Sequence, residues 1–90
     1  MMVAEKRFVI RNRLGLHARP AALFVQLANK FECDIMVRKG KQEVNGKSIM
    51  GILMLAAGKG SRILIRANGQ DAQNAIEELE QLLLSDLPEE

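Results

Sequence analysis

A chain of 90 residues, 48% of them apolar and 27% charged, is long enough for one globular domain and too short for two. One small core leaves no room for a deep cleft between two lobes, so a stand-alone enzyme is not expected. Cys33 is the only cysteine and His17 the only histidine, which excludes an intrachain disulfide and a multi-histidine metal site. We therefore predict a single domain over residues 1–90 that needs no metal and no cofactor.

The sequence indicates neither secretion nor membrane insertion. No charged segment followed by an apolar one opens the chain, and a lone thiol is typical of a reducing compartment. The longest uncharged apolar run, residues 49–57, has nine residues, whereas a transmembrane helix needs about 20. We expect a cytoplasmic protein.

The net charge of +2 conceals an uneven distribution. Residues 1–66 contain all 13 basic and four acidic residues, a formal charge of +9, while residues 67–90 carry −7. A basic body can attract an acidic partner or nucleic acid, but charged residues also serve simply as solvated surface.

The first two elements follow from hydrophobic spacing. Residues 6–11 alternate, with Phe8 and Ile10 on one face, and this pattern predicts a half-buried strand. An amphipathic helix is predicted over about residues 18–30, with Pro20 in its first turn, where a missing amide costs little. The apolar residues of this helix recur at positions i, i+3, i+4 and i+7, namely Phe24, Leu27, Ala28 and Phe31.

A hairpin and a short helix are predicted next. Residues 35–38 alternate as a strand does, residues 39–41 are typical of a turn, and residues 42–44 can return as a second strand. Ser48 is then the N-cap of a helix over residues 49–55, which two glycines soon afterwards terminate.

The last two elements are a strand and a helix. Residues 62–67 alternate again, and Asp71 is the predicted N-cap of the final helix. That helix carries one apolar stripe, made of Ala72, Ala75, Ile76, Leu79, Leu82 and Leu83. The predicted order of elements is therefore βαββαβα.

Each predicted strand offers one apolar face and each helix one apolar stripe. Helices on one side of one sheet satisfy all of them, so we predict an open-faced two-layer sandwich. The other face of the sheet should be exposed and basic, with arginine stems covering Val9, Met36 and Leu64. The arginines predicted on it are Arg7, Arg11, Arg38, Arg62 and Arg66.

The segment before the first helix, residues 15–21, is the candidate site of chemistry. His17 and Arg19 flank the helix start, whose free amides attract an anion, and the amides of Ala18 and Arg19 can contact a phosphate there. Both the helix start and Arg19 disfavour the imidazolium, so we expect a neutral, nucleophilic ring. The pattern fits a phosphohistidine whose phosphoryl group passes to another protein, or, alternatively, a histidine that merely caps the helix.

These residues carry a family resemblance. Residues 15–21, GLHARPA, resemble the phosphorylation-site motif of the histidine-containing phosphocarrier protein (HPr) family of the bacterial phosphoenolpyruvate-dependent phosphotransferase system. Residues 47–51, KSIMG, resemble the regulatory serine motif of that family, and the similarity extends over about residues 5–84. The resemblance implies an α+β fold in which three helices cover a four-stranded antiparallel sheet of order 1-4-2-3.

The resemblance also implies roles for three residues. His17 would accept a phosphoryl group on Nδ1 from phosphorylated enzyme I, and Arg19 would stabilise the group and assist its release to an enzyme IIA domain. Ser48 would be the target of HPr kinase/phosphorylase where the organism has one, and as an N-cap it stands where a phosphate meets free amides. The alternative is that Ser48 only caps its helix.

A partner-binding surface is predicted beside these sites. The short helix over residues 49–55 cannot bury every apolar side chain, so Ile49, Met50 and Leu53 should form an exposed docking surface; the alternative is that all three belong to the core. A carrier that docks freely is expected to be a monomer. The residues predicted to meet enzyme I and enzyme IIA, some of them through the resemblance, are Ala18, Ala22, Gln26, Ile49, Met50 and Leu53.

Two branches of the family remain open. Residues 12–16 and the acidic end, residues 85–90, resemble the nitrogen-related branch, often called NPr, whereas residues 47–51 resemble the sugar branch. Gln26 and Asn29 stand where sugar-branch relatives often carry lysines that face partners.

Two other classes of protein fit parts of the sequence. A nucleic-acid-binding module would use the basic sheet face, but the strands offer only Phe8 for stacking, and the predicted register directs it to the core. A small ligand-binding regulatory domain shares the order of elements, but it would not need His17 beside Arg19 at a helix start. We therefore predict a phosphocarrier that does not bind nucleic acid.

Overall fold

The computed structural model describes residues 2–11 and 15–84. Residues 12–14 and 85–90, which carry part of the resemblance to the nitrogen branch, lie outside the described residues. The elements follow one another in the predicted order. They are β1 (Val3–Val9), α1 (Ala18–Ala28), β2 (Asp34–Lys39), β3 (Gln42–Asn45), α2 (Ile49–Leu55), β4 (Arg62–Asn68) and α3 (Ala72–Leu84).

The four strands form one antiparallel sheet in the order β1-β4-β2-β3. This is the order that the resemblance to HPr implies. Residues directly opposite each other in neighbouring strands share a face of the sheet. Phe8 lies opposite Ile63 and Val37 opposite Ile65, and all four side chains are buried. The core therefore lies on this face.

The helices cover that face, which confirms the predicted open-faced sandwich. The largest fully buried side chains come from all three helices and from the two inner strands, β2 and β4. They are Pro20, Phe24, Ile35, Val37, Ile52, Leu55, Ile63, Ile65 and Leu79. Each large apolar side chain buried in this way stabilises the fold by roughly 1.5–3 kcal/mol.

The limits of β1 differ from the prediction of residues 6–11. The strand begins at Val3, which pairs with Asn68, and ends at Val9. Because β1 is an edge strand, residues 3–5 are exposed or half-buried and show no clear alternation. Ile10 lies beyond the strand but is buried, and its backbone bonds to that of residues 60–61. The predicted buried face was right and the predicted limits were wrong.

α1 ends at Ala28, two residues before its predicted end. Asn29 is the C-cap, and its backbone N–H donates to the Val25 carbonyl, while the N–H of Lys30 donates to the Leu27 carbonyl. Phe31 is buried as its spacing predicts, but it lies in the turn after the helix. The apolar spacing thus predicted burial correctly, but it placed the end of the helix too late.

Asp71 precedes α3 as predicted, and its carbonyl accepts the amide of Ala75 at 2.9 Å. Its carboxylate, however, contacts a different segment: it accepts hydrogen bonds from the backbone amides of Glu32 and Cys33, each at 2.9 Å. These bonds, that from Glu32 foremost, hold the pKa of Asp71 below its ordinary value of 3.8 because they stabilise the carboxylate. Asp71 therefore joins the start of α3 to the segment before β2.

The face of the sheet without helices is more mixed than predicted. Four of the five predicted arginines are exposed on it, namely Arg7, Arg38, Arg62 and Arg66, while Arg11 lies beyond the end of β1. Arginine stems do not cover Val9, which is 48% exposed. Acidic side chains share the face, and these are Glu5, Asp34 and Glu43.

Candidate functional site

His17 occupies the N-cap position of α1. Its backbone is extended (φ −92°, ψ −163°), and its carbonyl accepts the amide of Ala21 at 2.8 Å. Its side chain forms no capping hydrogen bond with the helix start. The alternative in which His17 is a capping side chain is therefore wrong, and the imidazole stands at the helix start without occupying its free amides.

The two nitrogens of the half-buried imidazole differ in their surroundings. Nε2 is buried and has no hydrogen-bond partner within residues 2–11 and 15–84. This leaves Nδ1 as the ring nitrogen that a reactant can approach. The ring borders a depression of about 290 Å³ whose other walls come from Leu16 and the end of α2. Packing, rather than hydrogen bonding, therefore orients the imidazole.

Gly15 allows the loop before His17 to lie against the end of α2. Its φ is +71°, and a Cβ at this position would lie 2.4 Å from the carbonyl oxygen of Ala57. The next amide, that of Leu16, donates to the same oxygen at 2.9 Å, and the Leu16 side chain is buried. Only glycine combines this backbone conformation with so close an approach. The loop that carries His17 is thus anchored immediately before it.

The start of α1 suits an anion. Its first turn contains no acidic side chain, so nothing in it neutralises the partial positive charge of the helix. Pro20 is buried and lacks an amide, which leaves the amides of Ala18 and Arg19 as the donors nearest His17. The side chains of Ala18 and Arg19 are exposed. A phosphate here would meet backbone donors and a guanidinium together.

Ser48 is the N-cap of α2, as predicted. Its backbone is extended, and its Oγ accepts the amide of Gly51 at 3.1 Å. Its carbonyl accepts the amide of Ile52 at 3.0 Å, and its own amide donates to the Asn45 carbonyl at 3.1 Å. The residue is half-buried. The hydroxyl that the resemblance implies as a modification site therefore already holds an internal hydrogen bond.

Asn29 connects the two helices at the end opposite His17. Its Nδ2 donates to the carbonyl of Val25 at 2.9 Å and to that of Lys47 at 3.2 Å. The end of α1 thus meets the start of α2, whereas the start of α1 at His17 meets the end of α2. The two helices run antiparallel, and the seven residues of α2, about 10 Å at 1.5 Å per residue, separate Ser48 from the surroundings of His17. The resemblance placed Asn29 where sugar-branch relatives often carry a lysine, but it did not predict this structural role.

An apolar surface lies on α2 between the two sites. Ile52 and Leu55 belong to the core, but the alternative that Ile49, Met50 and Leu53 are all core is wrong, because each is exposed. Four of its side chains are exposed by 38–65%: Ile49, Met50, Leu53 and Met54. Met54 was missing from the prediction, although it lies four residues after Met50 and so on the same side of the helix.

The predicted docking residues of α1 lie along one side of that helix. Ala18 and Gln26 are exposed, and Ala22 between them is half-buried. Residues four apart are neighbours on a helix surface, so these three form a row that begins beside His17.

Cys33 lies apart from these sites. Burial, the neighbouring Asp71 carboxylate and its hydrogen bond to the thiol raise the pKa of Cys33 to about 11. The thiol therefore stays protonated and unreactive near neutral pH. Within residues 2–11 and 15–84, no cluster of three or more histidine, cysteine, aspartate or glutamate side chains is arranged to hold a metal ion. In the same part of the chain, no helix combines the length and apolar character needed to cross a bilayer.

Similarity to known proteins covers nearly the whole chain. Residues 4–85 match the family model described as the PTS HPr component phosphorylation site. The HPr-like protein Crh of Halalkalibacterium halodurans is 48% identical over 77 residues, which are 86% of this chain and 92% of that protein. The phosphocarrier protein HPr of Xylella fastidiosa is 41% identical over 78 residues, which are 87% of this chain and 88% of that protein.

Solved structures agree with the sequence comparison. The crystal structure of the phosphocarrier protein HPr from Bacillus anthracis has a TM-score of 0.86 and 49% identity, over 90% of this chain and 96% of its own. A crystal structure of an HPr dimer from Thermoanaerobacter tengcongensis has a TM-score of 0.77 and 48% identity, over 91% of this chain and 94% of its own. Some relatives therefore dimerise, and the monomer expected here stays a prediction. Sequence, fold and motif together show that this chain belongs to the HPr family of phosphotransferase-system phosphocarriers.

Proposed function

We propose that this protein accepts a phosphoryl group on His17 from phosphorylated enzyme I and passes it to an enzyme IIA domain. The observation that carries the proposal is the imidazole at the start of α1 with its Nε2 buried, which leaves Nδ1 as the nitrogen for reaction. The protein would act as a carrier in the cytoplasm and not as a catalyst with its own substrate.

The transfer uses the lone pair of Nδ1. This nitrogen attacks phosphorus, a nitrogen–phosphorus bond forms, and the bond between phosphorus and enzyme I breaks with its electron pair remaining on enzyme I. The ring keeps its proton on Nε2 and becomes a phosphoimidazolium. In the second transfer a nucleophile of enzyme IIA attacks phosphorus, and the electron pair of the broken bond returns to Nδ1.

Arg19 and the start of α1 stabilise the transferred group. The phosphoryl oxygens accept hydrogen bonds from the amides of Ala18 and Arg19, and the Arg19 guanidinium supplies a charge-assisted contact. Because the first turn holds no carboxylate, no acidic side chain competes for these donors. Arg19 also screens the phosphoryl charge as the acceptor approaches.

A second candidate function is regulation through Ser48. The relative from Halalkalibacterium halodurans is named an HPr-like protein, Crh, rather than a phosphocarrier. The position of Ser48 at the start of α2 supports its modification by an HPr kinase/phosphorylase, since a phosphate there can accept hydrogen bonds from the helix-start amides, including that of Gly51, whose hydrogen bond the hydroxyl now accepts. Both functions can coexist in one chain because the two sites lie at opposite ends of α2.

The exposed side of α2 and the row on α1 form the proposed docking surface for enzyme I and enzyme IIA. The flexible Met50 and Met54 side chains can fit partners of different shape. The α1 residues of this surface lead directly to His17, so a partner bound there covers the site. We propose that the protein docks as a monomer.

Intact-mass analysis tests the proposal. The full chain and the His17→Ala and Ser48→Ala variants are incubated with phosphoenolpyruvate and enzyme I, and separately with ATP and HPr kinase/phosphorylase. One acid-labile phosphoryl addition in the first reaction, present in Ser48→Ala and lost in His17→Ala, is the expected result. An acid-stable addition in the second reaction, lost only in Ser48→Ala, would support the regulatory function.

Two results would contradict the phosphocarrier proposal. One is the absence of any addition with an enzyme I that phosphorylates a known HPr in the same assay. The other is an addition that persists in His17→Ala. Loss of the phosphoryl group on adding an enzyme IIA domain then tests onward transfer.

A further inference from the structure

A depression on the open face of the sheet takes no part in the proposed function. It has a volume of about 360 Å³ and lies over parts of β1, β2 and β4. Three exposed arginines, Arg7, Arg38 and Arg62, border it, and Val9 and Leu64 supply apolar surface between them. Pockets that bind small molecules span about 300–1,000 Å³, so the depression is large enough for one.

The register of the sheet brings the three arginines together. Arg7 and Arg38 lie directly opposite Leu64 on its two sides, so the three residues form one row across β1, β4 and β2. Arg62 lies two residues before Leu64 and opposite Val9, on the same face. At strand spacings of about 4.8 Å and a rise of about 3.3 Å per residue, the three Cα atoms lie within roughly 10 Å of one another. Arginine side chains can reach a common ligand from these positions.

The three guanidinium groups have no counter-ion among the described residues. None of them forms an ion pair within 4.0 Å in the part of the chain that the structure describes, although Arg38 stands directly opposite Glu43. Arg66 on the same face differs, because its Nε lies 3.8 Å from a Glu5 carboxylate oxygen. Like charges arranged across neighbouring strands repel each other, and a bound anion would remove this repulsion.

Arg7, Arg38 and Arg62 lie toward one end of the face. Acidic side chains share the face: Glu5 and Asp34 lie toward the other end, where Glu5 is beside Arg66, and Glu43 lies on β3 opposite Arg38. A long acidic surface or a nucleic-acid strand would have to pass over these carboxylates. All three phenylalanines of the chain are buried, so no aromatic ring is available to stack on bases. The distribution of charge therefore favours a small ligand.

We propose that this depression binds a small organic phosphate. The phosphoryl group accepts hydrogen bonds from the three guanidinium groups, whose planar fork matches phosphate oxygens. An apolar or aromatic part of the ligand covers Val9, which is 48% exposed, and Leu64. The site lies on the face of the sheet opposite the helices, so its occupancy does not require the His17 site.

NMR titration of the ¹⁵N-labelled full chain tests this site. ADP at low salt with metals chelated is the probe, and pyrophosphate and adenosine supply its phosphate and organic parts separately. ADP should cause saturable amide shifts around Arg7, Arg38 and residues 62–64. Adenosine should cause none, and pyrophosphate should bind more weakly than ADP.

Matched variants decide which side chains bind the ligand. Arg7→Gln, Arg38→Gln and Arg62→Gln should each weaken ADP binding by about two- to tenfold, the range for solvent-exposed charge-assisted contacts. Arg66→Gln removes the same charge from the same face and should leave the affinity unchanged. His17→Ala should also bind ADP normally, which separates this site from the proposed phosphocarrier site.

Three results would overturn the proposal. They are shifts confined to the start of α1, an equal loss of affinity in Arg66→Gln, and no saturation up to about 10 mM ADP. Equal binding of pyrophosphate and ADP would overturn the role assigned to the apolar surface of Val9 and Leu64. Because all four arginines are exposed, each variant should retain the spectrum of the folded protein.

Discussion

The starts of α1 and α2 share one backbone arrangement and differ in what occupies it. At α2 the Ser48 hydroxyl accepts a hydrogen bond from the Gly51 amide at 3.1 Å, whereas at α1 the His17 side chain makes no capping hydrogen bond. An uncapped helix start keeps its donors for an external anion, while a capped start has already bonded one of them. The first can receive a phosphoryl group without rearrangement, and the second must exchange an internal bond for a phosphate contact.

The support of the two starts differs as well. The start of α2 is tied to α1 through Asn29 and Lys47, whereas the start of α1 depends on the close approach of Gly15 to Ala57. A reactive side chain that is not itself hydrogen-bonded needs such a rigid loop before it. Substitutions at several positions can test this difference between the two helix starts.

The largest effect is expected from Gly15→Ala. Its Cβ would lie 2.4 Å from the Ala57 oxygen at a φ of +71°, so the free energy of unfolding should fall by about 3 kcal/mol. Gly40→Ala is the matched control, because Gly40 has a φ of +60° with nothing near its Cβ. It should lose only about 1 kcal/mol. Urea denaturation measures both, and equal losses would show that the Gly15 contact does not support the loop.

A carboxylate placed at the start of α1 should raise stability and lower the rate of phosphorylation. Ala18 is exposed in the first turn, so Ala18→Asp should stabilise the helix by about 0.3–1 kcal/mol through its dipole. The same carboxylate should slow phosphorylation by enzyme I at least about tenfold, because it repels the incoming phosphate. Ala18→Asn, which has a similar shape and no charge, is the control. An unchanged rate in Ala18→Asp would mean that the amides at this start do not contact the phosphoryl group.

Truncating the two N-cap side chains should lower the free energy of unfolding by different amounts. Ser48→Ala removes a capping bond and should lower the free energy of unfolding by about 1 kcal/mol. His17→Ala removes no such bond, so its stability should stay within about 0.5 kcal/mol of that of the parent chain. Thermal and urea unfolding of both variants measures the difference. A larger loss in His17→Ala would contradict the uncapped description of α1.

The smallest effect is expected at Asp71, which joins α3 to the segment before β2. Its folded-state pKa lies below the ordinary 3.8, so its contribution to stability is present above about pH 4 and disappears as the pH falls through the folded value. Asp71→Asn should therefore be less stable near neutral pH and show a smaller loss of stability on acidification. Glu78→Gln, at an exposed position of α3, is the control. Acid unfolding curves that remain parallel to those of the parent chain would contradict the role of this carboxylate.

The sequence predicted elements best where burial is periodic. The apolar side chains of α1, α3 and β4 are buried in the core, so their spacing in the sequence follows the secondary structure. β1 lies at an edge, and its first residues are exposed or only half-buried, so their side chains show no clear periodic pattern. The strand order came from the family resemblance, because periodicity does not specify which strands are neighbours.

The candidate site was predictable in composition but not in its contacts. His17 and Ser48 could be placed at helix starts from Pro20 and the serine motif. The sequence predicted that Ser48 caps α2, but it left open whether the His17 side chain caps α1, and only the structure shows that it does not. The same is true of the open face, where only the register reveals that Arg66 lies beside Glu5 and Arg38 remains unpaired among the described residues.

The central claim is that Nδ1 of His17 carries the phosphoryl group, because Nε2 is buried and the start of α1 is free. The most direct test is ³¹P and ¹⁵N NMR of the protein labelled in its single histidine and phosphorylated by enzyme I and phosphoenolpyruvate. We predict a nitrogen–phosphorus coupling at Nδ1, with the ring proton retained on Nε2. A coupling at Nε2, or an unmodified histidine in the presence of an active enzyme I, would contradict it.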